Sequence, residues 1–421
     1  MGQRTFAPTR PVAMPSSGRR RAIWVTLAAL LAAGWSTNHF AALLPVLAEV
    51  EHIAKPGLDA AFGLYALGLL PGLLLGGGLS DRRGRRPVVL TGLVLCGGGN
   101  LVMLIWPTLA GVMLGRLVVG VGVGLVASAG TAWAGDHDAA KGAARAGVVL
   151  TTGFAAGPLA SGLIAQFTPG ETGLVVAFAV PVLLTGVSAL LCLRPDYASV
   201  VAPHRTPRPP RDGSSAPFVE DRRLGPALAA ALPMTLWVFS CVTVAMIVLT
   251  ERIGGQYGGP MLPAVAAVLA LGTGIVVQLG TRRIAGWRPL GVVGAGLAAT
   301  AFLISGVAGS RMSIATFVLC SIVFGAAYGL CLGQGLRDVD RLAPRSTRGL
   351  VIGIFYVVTY TGFALPFVLN TYQDSIGAAA PMLVLAALAA ASALTRLVQV
   401  RQGDHRQDTH PGSRSTASRP R

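Results

Sequence analysis

The sequence predicts an all-α integral membrane protein whose twelve transmembrane helices form two six-helix bundles. Apolar residues make up 53% of its 421 residues, whereas charged residues make up only 12%. Soluble domains average roughly 25% charged residues, so lipid must cover most of the exterior of this chain. The second observation is a series of apolar stretches, each close to the roughly 20 residues that a membrane-spanning helix needs.

The apolar stretches fall into two groups of six, separated by a polar segment. The first group predicts an amino-terminal bundle over residues 23–193, and the second predicts a carboxy-terminal bundle over residues 224–400. The predicted spans are 23–49, 57–80, 87–106, 109–134, 146–167 and 172–193, followed by 224–250, 260–280, 290–309, 312–336, 350–370 and 377–400.

Three polar segments flank or join the bundles: a tail at 1–22, a linker at 194–223 and a second tail at 401–421. The linker contains the sequence Pro-Arg-Pro-Pro-Arg at 207–211. Such a segment has no apolar face to bury, so we expect a flexible connection between the bundles. The two tails are too polar to build a core of their own.

The basic residues predict the orientation of the spans. If both termini are cytoplasmic, the inside segments with their flanks carry 30 of the 34 basic residues. The outside loops carry Lys55, Arg252 and Arg311, and Arg116 lies within a span. Because basic residues favour the cytoplasmic side in short loops, we expect a multi-pass protein of a bacterial cytoplasmic membrane with both termini inside.

The amino terminus permits a second interpretation. Arg19-Arg20-Arg21 precedes an apolar run, as in a secretory signal, even a twin-arginine one. However, the apolar run continues well beyond the 7–15 residues of a signal core. Its removal would also break the six-plus-six arrangement, so we expect the first span to be retained.

Composition also argues against several classes of function. The net charge is +17, but the basic residues form short clusters and no basic face with interleaved aromatic residues, so we expect no nucleic-acid partner. The chain has no P-loop motif for ATP. Its five cysteines lie inside apolar runs without a CxxC pair. We therefore expect no disulfide, metal site, cofactor or enzymatic activity.

The end of the second span carries a distinctive motif. It reads Gly-Gly-Leu-Ser-Asp-Arg-Arg-Gly-Arg-Arg over residues 77–86. This resembles the signature G-x-L-A-D-R-x-G-R-R/K between helices 2 and 3 of the major facilitator superfamily, with Ser80 in place of the usual alanine. The resemblance implies a twelve-helix secondary transporter, similar to the drug-efflux members of that family.

The motif predicts a conformational latch. Gly77 would let a neighbouring helix approach closely, and Gly84 would permit the sharp turn of a helical hairpin. By resemblance, Asp81 and Arg85 close the cytoplasmic side, where the carboxylate meets the N-terminus of helix 11, and Asp136 is a third member. A plain basic loop that only sets topology is the alternative. The predicted latch residues are Gly77, Asp81, Arg82, Gly84, Arg85, Arg86 and Asp136.

Arg116 is a charged residue inside the fourth span. Gly120 and Gly122 follow it, a pattern similar to the second signature of the same family and suited to close helix packing. An arginine at the centre of a membrane helix costs at least about 2.5–3.5 kcal/mol. We therefore expect Arg116 to face a polar cleft or a partner, unless it extends to the outer surface.

A polar patch interrupts the first span and predicts part of the substrate or proton pathway. It contains Trp35, Asn38 and His39. An α-helix rises about 1.5 Å per residue, which places His39 and Arg116 at a similar depth in the membrane. Histidine changes charge near neutral pH, so His39 is a candidate titratable or substrate-contacting group; a structural hydrogen bond to a neighbouring helix is the alternative.

The fifth span carries a further glycine pattern: Gly153, Gly157, Pro158 and Gly162. It resembles the antiporter signature G-x-x-x-G-P-x-x-G-G, with Ser161 in place of one glycine. By resemblance, members with this motif are mostly exporters. A generic kinked helix is the alternative, because Gly-Pro bends a helix in any context.

These observations predict a secondary transporter that exports small amphipathic compounds by alternating access. An importer or uniporter of a sugar or organic acid is the alternative, and a non-transporting membrane sensor is an alternative of another class. No Asp or Glu lies deep in a span, so a proton gradient is an open question. We expect a monomer whose partners are a small-molecule substrate and lipid. Other candidate cavity residues are Tyr65, Asn100, Trp237, Tyr328, Gln334, Tyr356 and Tyr360.

Overall fold

A computed structural model describes residues 16–138, 141–194, 224–281, 289–310, 312–343 and 348–408 of the chain. Over these residues the protein is helical without strands, and twelve helices are long and apolar enough to cross a membrane. The predicted fold class is therefore confirmed. Most of the predicted tail 1–22, almost all of the linker 194–223 and residues 409–421 lie outside the described residues.

The amino-terminal half contains helices α1 to α6. α4 lies at its centre and packs against α2 and α3, while α1 packs against α5. The bounds are α1 Ser16–Val50, α2 Lys55–Arg83, α3 Arg85–Ile105, α4 Leu109–His137, α5 Gly142–Phe167 and α6 Glu171–Leu193.

The carboxy-terminal half contains helices α7 to α12, and two of them are interrupted. α7 comprises Leu224–Thr243, the π-helical turn Val244–Val248 and Leu249–Tyr257. α11 comprises Arg348–Tyr360, the 3-10 turn Thr361–Ala364 and Leu365–Ile376. α10 packs against α7, α8 and α9, and α9 packs against α12. The other bounds are α8 Met261–Thr281, α9 Leu290–Ala308, α10 Ile314–Leu342 and α12 Ala379–Asp408.

The observed helices extend beyond several predicted spans. The predicted spans 312–336 and 377–400 stop before the observed ends of α10 at Leu342 and of α12 at Asp408. The apolar stretch of a helix ends where charged residues become frequent, whereas the backbone hydrogen bonds of the helix continue beyond it. The apolar stretch therefore marks the part of a helix that lipid can cover, not the whole helix.

Successive helices run in opposite directions, so their connections lie at two opposite ends of the molecule. We call the end that bears the α2–α3 turn at Gly84 the motif end. We call the opposite end, which bears the α1–α2 connection at residues 51–54, the far end. The sequence predicts that the motif end is cytoplasmic.

The two halves repeat the same glycine contacts. In α4, a Cβ at Gly120 would lie 2.2 Å from a carbonyl oxygen of α2, and one at Gly124 would lie 2.4 Å from the next such oxygen. In α10, Gly325 and Gly329 face carbonyl oxygens of α8 in the same way, at 2.3 and 2.6 Å. The equivalent glycines are the same number of residues apart, so the central helix of each half is held by one packing device.

The interruptions of α7 and α11 face each other. Pro366 has no N–H, so the carbonyl group of Gly362 lacks its α-helical donor and accepts the Leu365 N–H of the 3-10 turn instead. The Thr243 hydroxyl of α7 donates a hydrogen bond of 2.8 Å to that carbonyl, directly before the π-helical turn Val244–Val248. A Cβ at Gly362 would lie 2.4 Å from the Ser240 backbone nitrogen, so glycine is required for this approach.

The two halves meet along two seams, α2 against α11 and α1 with α5 against α8. A Cβ at Gly63 of α2 would lie 3.2 Å from the Phe363 carbonyl oxygen of α11. A Cβ at Gly162 of α5 would lie 2.8 Å from the Pro260 carbonyl oxygen. Both contacts lie in the part of each helix nearer the far end, so the halves are closely joined there.

The glycine contacts of α4 give a stability prediction. Gly120→Ala places a methyl group against the α2 backbone and should lower the free energy of unfolding by about 1–3 kcal/mol. Gly98→Ala is the matched control, because a Cβ at Gly98 meets nothing within 4 Å. Thermal unfolding of the purified protein in detergent measures both. Equal melting temperatures for the two variants would contradict the close α2–α4 contact.

Candidate functional site

An aromatic layer, defined as Phe62, Tyr65, Phe239, Tyr360 and Phe363, crosses the seam between the halves. The centroid of the Phe363 ring of α11 lies 5.3 Å from that of Phe62 and 5.6 Å from that of Tyr65, both on α2. It also lies 5.1 Å from the Phe239 ring of α7, which lies 4.6 Å from the Tyr360 ring. All five side chains are buried, so they fill the space between the halves at this depth.

Tyrosine hydroxyl groups border the aromatic layer. Tyr356 of α11 continues it, and the Tyr328 ring of α10 lies 6.1 Å from the Phe239 ring. The Tyr328 hydroxyl faces Thr151 of α5 and Gln278 of α8. Aromatic surface beside a few hydrogen-bonding groups is the usual lining of a small-molecule site, and it suits an amphipathic solute.

Arg116 lies directly behind the aromatic layer and is fully buried in the amino-terminal half. Its Nη1 donates to the Thr37 carbonyl oxygen at 2.9 Å, and its Nη2 donates to the Phe62 carbonyl oxygen at 3.5 Å. The guanidinium carbon lies 4.8 Å from the Phe40 ring centroid and 4.5 Å from that of Tyr65. Backbone carbonyls and aromatic faces thus surround the charge. A direct role in substrate binding stays a prediction.

His39 lies at a similar depth, because Arg116 bonds to Thr37 two residues before it. Its Nε2 lies 2.7 Å from Asn100 Oδ1 of α3, and its ring lies edge-on to Phe178 of α6 with centroids 5.5 Å apart. His39 therefore faces α3 and α6, away from both seams. The hydrogen bond to α3 matches the structural alternative, and a titratable or substrate-contacting role stays a prediction.

Trp35 and Asn38 lie on the side of α1 that packs against α5. The Asn38 amide donates to the Phe154 carbonyl oxygen at 3.4 Å, and the Trp35 backbone contacts Gly153 and Gly157. Among the described residues, Trp35 Nε1 and Asn38 Oδ1 have no hydrogen-bond partner. Because buried polar groups are normally paired, these two atoms are candidates for contact with a solute.

Two polar contacts join the halves at the far end. Asn370 of α11 donates to Asp59 Oδ2 of α2 at 2.8 Å, and Lys55 Nζ of α2 lies 3.3 Å from Glu251 Oε1 of α7. Sequence reasoning missed both pairs. The sequence did show an aspartate, Asp59, inside the predicted span 57–80, but no pattern identified Asn370 as its partner.

Arg85 organises the motif end. Its Nη1 lies 2.5 Å from Asp81 Oδ1, and its Nε lies 3.0 Å from Asp136 Oδ2. It also donates to Ser80 Oγ at 2.7 Å. The structure therefore brings three predicted latch residues together within the amino-terminal half. Gly84 has a φ of +93°, in the region that favours glycine, so the predicted sharp turn is present.

The remaining arginines of the motif have different surroundings. Arg86 donates to the Cys192 carbonyl oxygen at 2.5 Å and to the Leu193 carbonyl oxygen at 2.6 Å. It therefore caps the C-terminus of α6, where a cation is favoured by the helix dipole. Arg82 is exposed. The contact of Asp81 with the start of helix 11 stays a prediction, because residues 344–347 lie outside the described part of the chain.

The interpretation of Gly77 as a close-packing residue is wrong. A Cβ at Gly77 would meet nothing within 4 Å, whereas one at Gly76 would lie 2.2 Å from Ser128 Oγ of α4. Adjacent positions on a helix point in directions about 100° apart. The run of glycines in the motif therefore did not reveal which one faces α4.

The other glycines of the two packing motifs lie at helix contacts. A Cβ at Gly122 would lie 2.6 Å from a carbonyl oxygen of α3. Cβ atoms at Gly153 and Gly157 would lie 2.5 and 2.7 Å from carbonyl oxygens of α1. Pro158 lies inside α5, and Gly162 contacts α8 across the seam. The α5 motif thus packs α5 against α1 of its own half and against α8 of the other half.

The carboxy-terminal half contains a buried ion pair that the sequence did not predict. Arg396 of α12 binds Asp338 of α10, and Gln334 donates to the same carboxylate at 2.9 Å. Arg396 lies near the motif end of the predicted span 377–400, and only 7% of its side chain is exposed. Within the described ranges, no cluster of three His, Cys, Asp or Glu residues is placed to hold a metal.

Solved structures with the same architecture are transporters. A POT family transporter in complex with a thioalcohol conjugated peptide matches with a TM-score of 0.71 and 14% identity, over 91% of this chain and 96% of that one. The xylose transporter XylE from E. coli, in a partially occluded inward open conformation, matches with a TM-score of 0.67 and 14% identity, over 90% and 99%. At such identities the likeness shows the fold alone.

Among the described residues, twelve membrane-length helices form two repeated halves that meet at a buried aromatic layer, an architecture that fits a multi-pass membrane transporter. The chain belongs to the Major Facilitator Superfamily, which it matches over residues 25–366. An uncharacterized transporter from Rickettsia bellii (strain RML369-C) is 36% identical over 93 residues. That match spans 22% of this chain and 23% of the relative.

The surroundings of Arg116 give a second prediction. Arg116→Ala removes two charge-assisted hydrogen bonds, worth about 1.5–3 kcal/mol each, together with the ring contacts of the guanidinium. It should therefore markedly lower the melting temperature in detergent. Arg82→Ala, at an exposed position, should leave it unchanged. An Arg116→Ala variant as stable as the wild type, but with weakened solute binding, would instead assign the guanidinium to the substrate.

Proposed function

We propose that this member of the superfamily exports small amphipathic compounds from the cytoplasm by alternating access. The observation that carries this proposal is the aromatic layer with its bordering tyrosine hydroxyls at the seam of the two halves. Ring faces attract apolar groups and cations but repel anions. The one guanidinium at this depth among the described residues, Arg116, already bonds to backbone carbonyls.

The two ends of the molecule support the alternating mechanism. At the far end, Asp59–Asn370 and Lys55–Glu251 hold α2 against α11 and α7. At the motif end, 64% of the Asp81 side chain is exposed, and Arg85 holds it within the amino-terminal half. We propose that opening of the far end breaks its two polar contacts while Asp81 and Arg85 dock against helix 11. The halves then rock around the aromatic layer.

The α5 motif supports export as the direction. Gly153 and Gly157 hold α5 tightly against α1, and Gly162 places the same helix against α8. A helix that packs closely on both halves restricts how far they separate. We propose that this restraint, found at an antiporter-like signature, favours coupled exchange over free leakage, with a proton gradient as the energy source.

The alternatives have weaker support. An importer of an organic acid needs a cation that is available to the solute, and Arg116 is covered by carbonyls and rings. A sugar importer or uniporter needs many hydrogen-bonding groups, whereas the aromatic layer offers few. A non-transporting sensor would not need the Asp81–Arg85–Asp136 cluster. We also propose a monomer in a bacterial cytoplasmic membrane with both termini cytoplasmic.

Transport in proteoliposomes tests the proposal. The purified protein should move a fluorescent amphipathic dye out of the compartment that its motif end faces, and an opposing pH gradient should accelerate the flux. Phe363→Leu should raise the KM by about two- to tenfold, because an aromatic contact contributes about 0.5–1.5 kcal/mol.

The control variant is Phe167→Leu, since Phe167 lies at the end of α5 with 80% of its surface exposed. It should transport like the wild type. Flux of xylose or citrate in preference to the dye, or an unchanged KM in Phe363→Leu, would contradict the proposed substrate class.

A further inference from the structure

A cavity lies at the far end, between the two halves. Its volume is about 270 Å³, and helices α1, α2, α7 and α8 line it together with Gly258 and Gly259 of the α7–α8 connection. Most of the wall is apolar, formed by residues such as Leu44, Met246 and Leu262. It is a separate space from the aromatic layer, whose five residues do not line it.

Three ionisable side chains line the cavity: Lys55, Asp59 and Glu251. Lys55 pairs with Glu251 at 3.3 Å. Asp59 is only 3% exposed, and its Oδ2 accepts one hydrogen bond from Asn370. The lining thus holds two carboxyl groups and one ammonium group, so one carboxylate has no counter-ion when both are ionised.

The surrounding helices do not neutralise this charge. The α1 and α8 residues of the wall are all apolar. Arg252 follows Glu251 but points elsewhere, because it donates to the carbonyl oxygens of Ser305 and Ala378 at 2.7 and 2.6 Å. A buried carboxylate beside apolar walls is costly unless it is paired.

We propose that this cavity binds a small amphipathic cation with a single ammonium group before its release at the far side. The ammonium lies between Asp59 and Glu251, and the apolar part of the ligand packs against Leu44, Met246 and Leu262. The proposal rests on the proposed function, since it narrows the amphipathic substrates to amines.

The chemistry of the lining favours an organic cation over a metal ion. A hard divalent ion takes six or more oxygen ligands, whereas these walls are mainly hydrocarbon. Lys55 is the natural competitor of the ligand, because 64% of its side chain is exposed and its long stem can turn toward water. Displacement of Lys55 from Glu251 removes one of the two polar contacts that close the far end.

Binding to the full-length protein in lipid nanodiscs tests the site by calorimetry. The probes are benzylammonium, benzyltrimethylammonium, which keeps its charge at every pH, and neutral benzyl alcohol. Both cations should bind at least about tenfold more tightly than the alcohol. Asp59→Asn and Glu251→Gln should each weaken cation binding at least about tenfold. Glu49→Gln, an exposed carboxylate on α1 outside the cavity, should bind like the wild type.

Lys55→Ala keeps the proposal falsifiable if a carboxylate variant fails to fold. Removal of the competing ammonium should tighten cation binding by about two- to tenfold. Unchanged or weaker binding in Lys55→Ala overturns the site, and so does equal affinity for the alcohol. Failure of benzyltrimethylammonium to bind, with proton uptake alone at Asp59, assigns the charge to a proton and also overturns it. If the cations bind but the dye is not transported, the proposed function is wrong and this site is not. If the dye is transported but the cations do not bind, this site is wrong and the proposed function is not.

Discussion

Hydrocarbon offers no hydrogen-bond partners, so a polar backbone or charged group of this protein inside the membrane is costly unless another part of the chain pairs with it. The Nη1 and Nη2 atoms of Arg116 meet this constraint through the carbonyl oxygens of Thr37 and Phe62. The Gly362 carbonyl, to which Pro366 offers no N–H, meets it through the Leu365 N–H and the Thr243 hydroxyl. In each case a hydrogen bond between two helices pairs a polar group inside the membrane. These pairs position α2, α7 and α11, the helices that carry the aromatic layer.

The two halves share their packing but differ in their chemistry. Gly120 and Gly325 hold the central helices of the two halves by the same contact. Four residues before them stand Arg116 and Ser321 respectively, so the buried arginine has no counterpart at the equivalent position of the second half. Conversely, the π-helical and 3-10 turns occur only in the second half of the described chain. A half with continuous helices therefore faces a half in which α7 and α11 are interrupted at the seam.

The sequence predicted features that depend on local pattern. Twelve spans follow from apolar length, and the turn at Gly84 follows from a glycine between two helices. Contacts between distant segments could not be predicted, because hydropathy does not state which face of a helix meets which neighbour. Asp59 and Asn370 are far apart in the chain, and no pattern links them. The predicted helix contact at Gly77 was wrong for the same reason, because Gly76 makes the contact with α4.

Pulsed electron paramagnetic resonance tests the central claim, that the halves open at one end while they close at the other. Spin labels at Ala54 and Tyr372 report on the far end, and labels at Arg82 and Leu279 report on the motif end. All five native cysteines are buried, which favours labelling of the introduced ones. Addition of a transported solute should lengthen one distance and shorten the other. Distances that stay fixed, or that change in the same direction at both ends, would contradict the account.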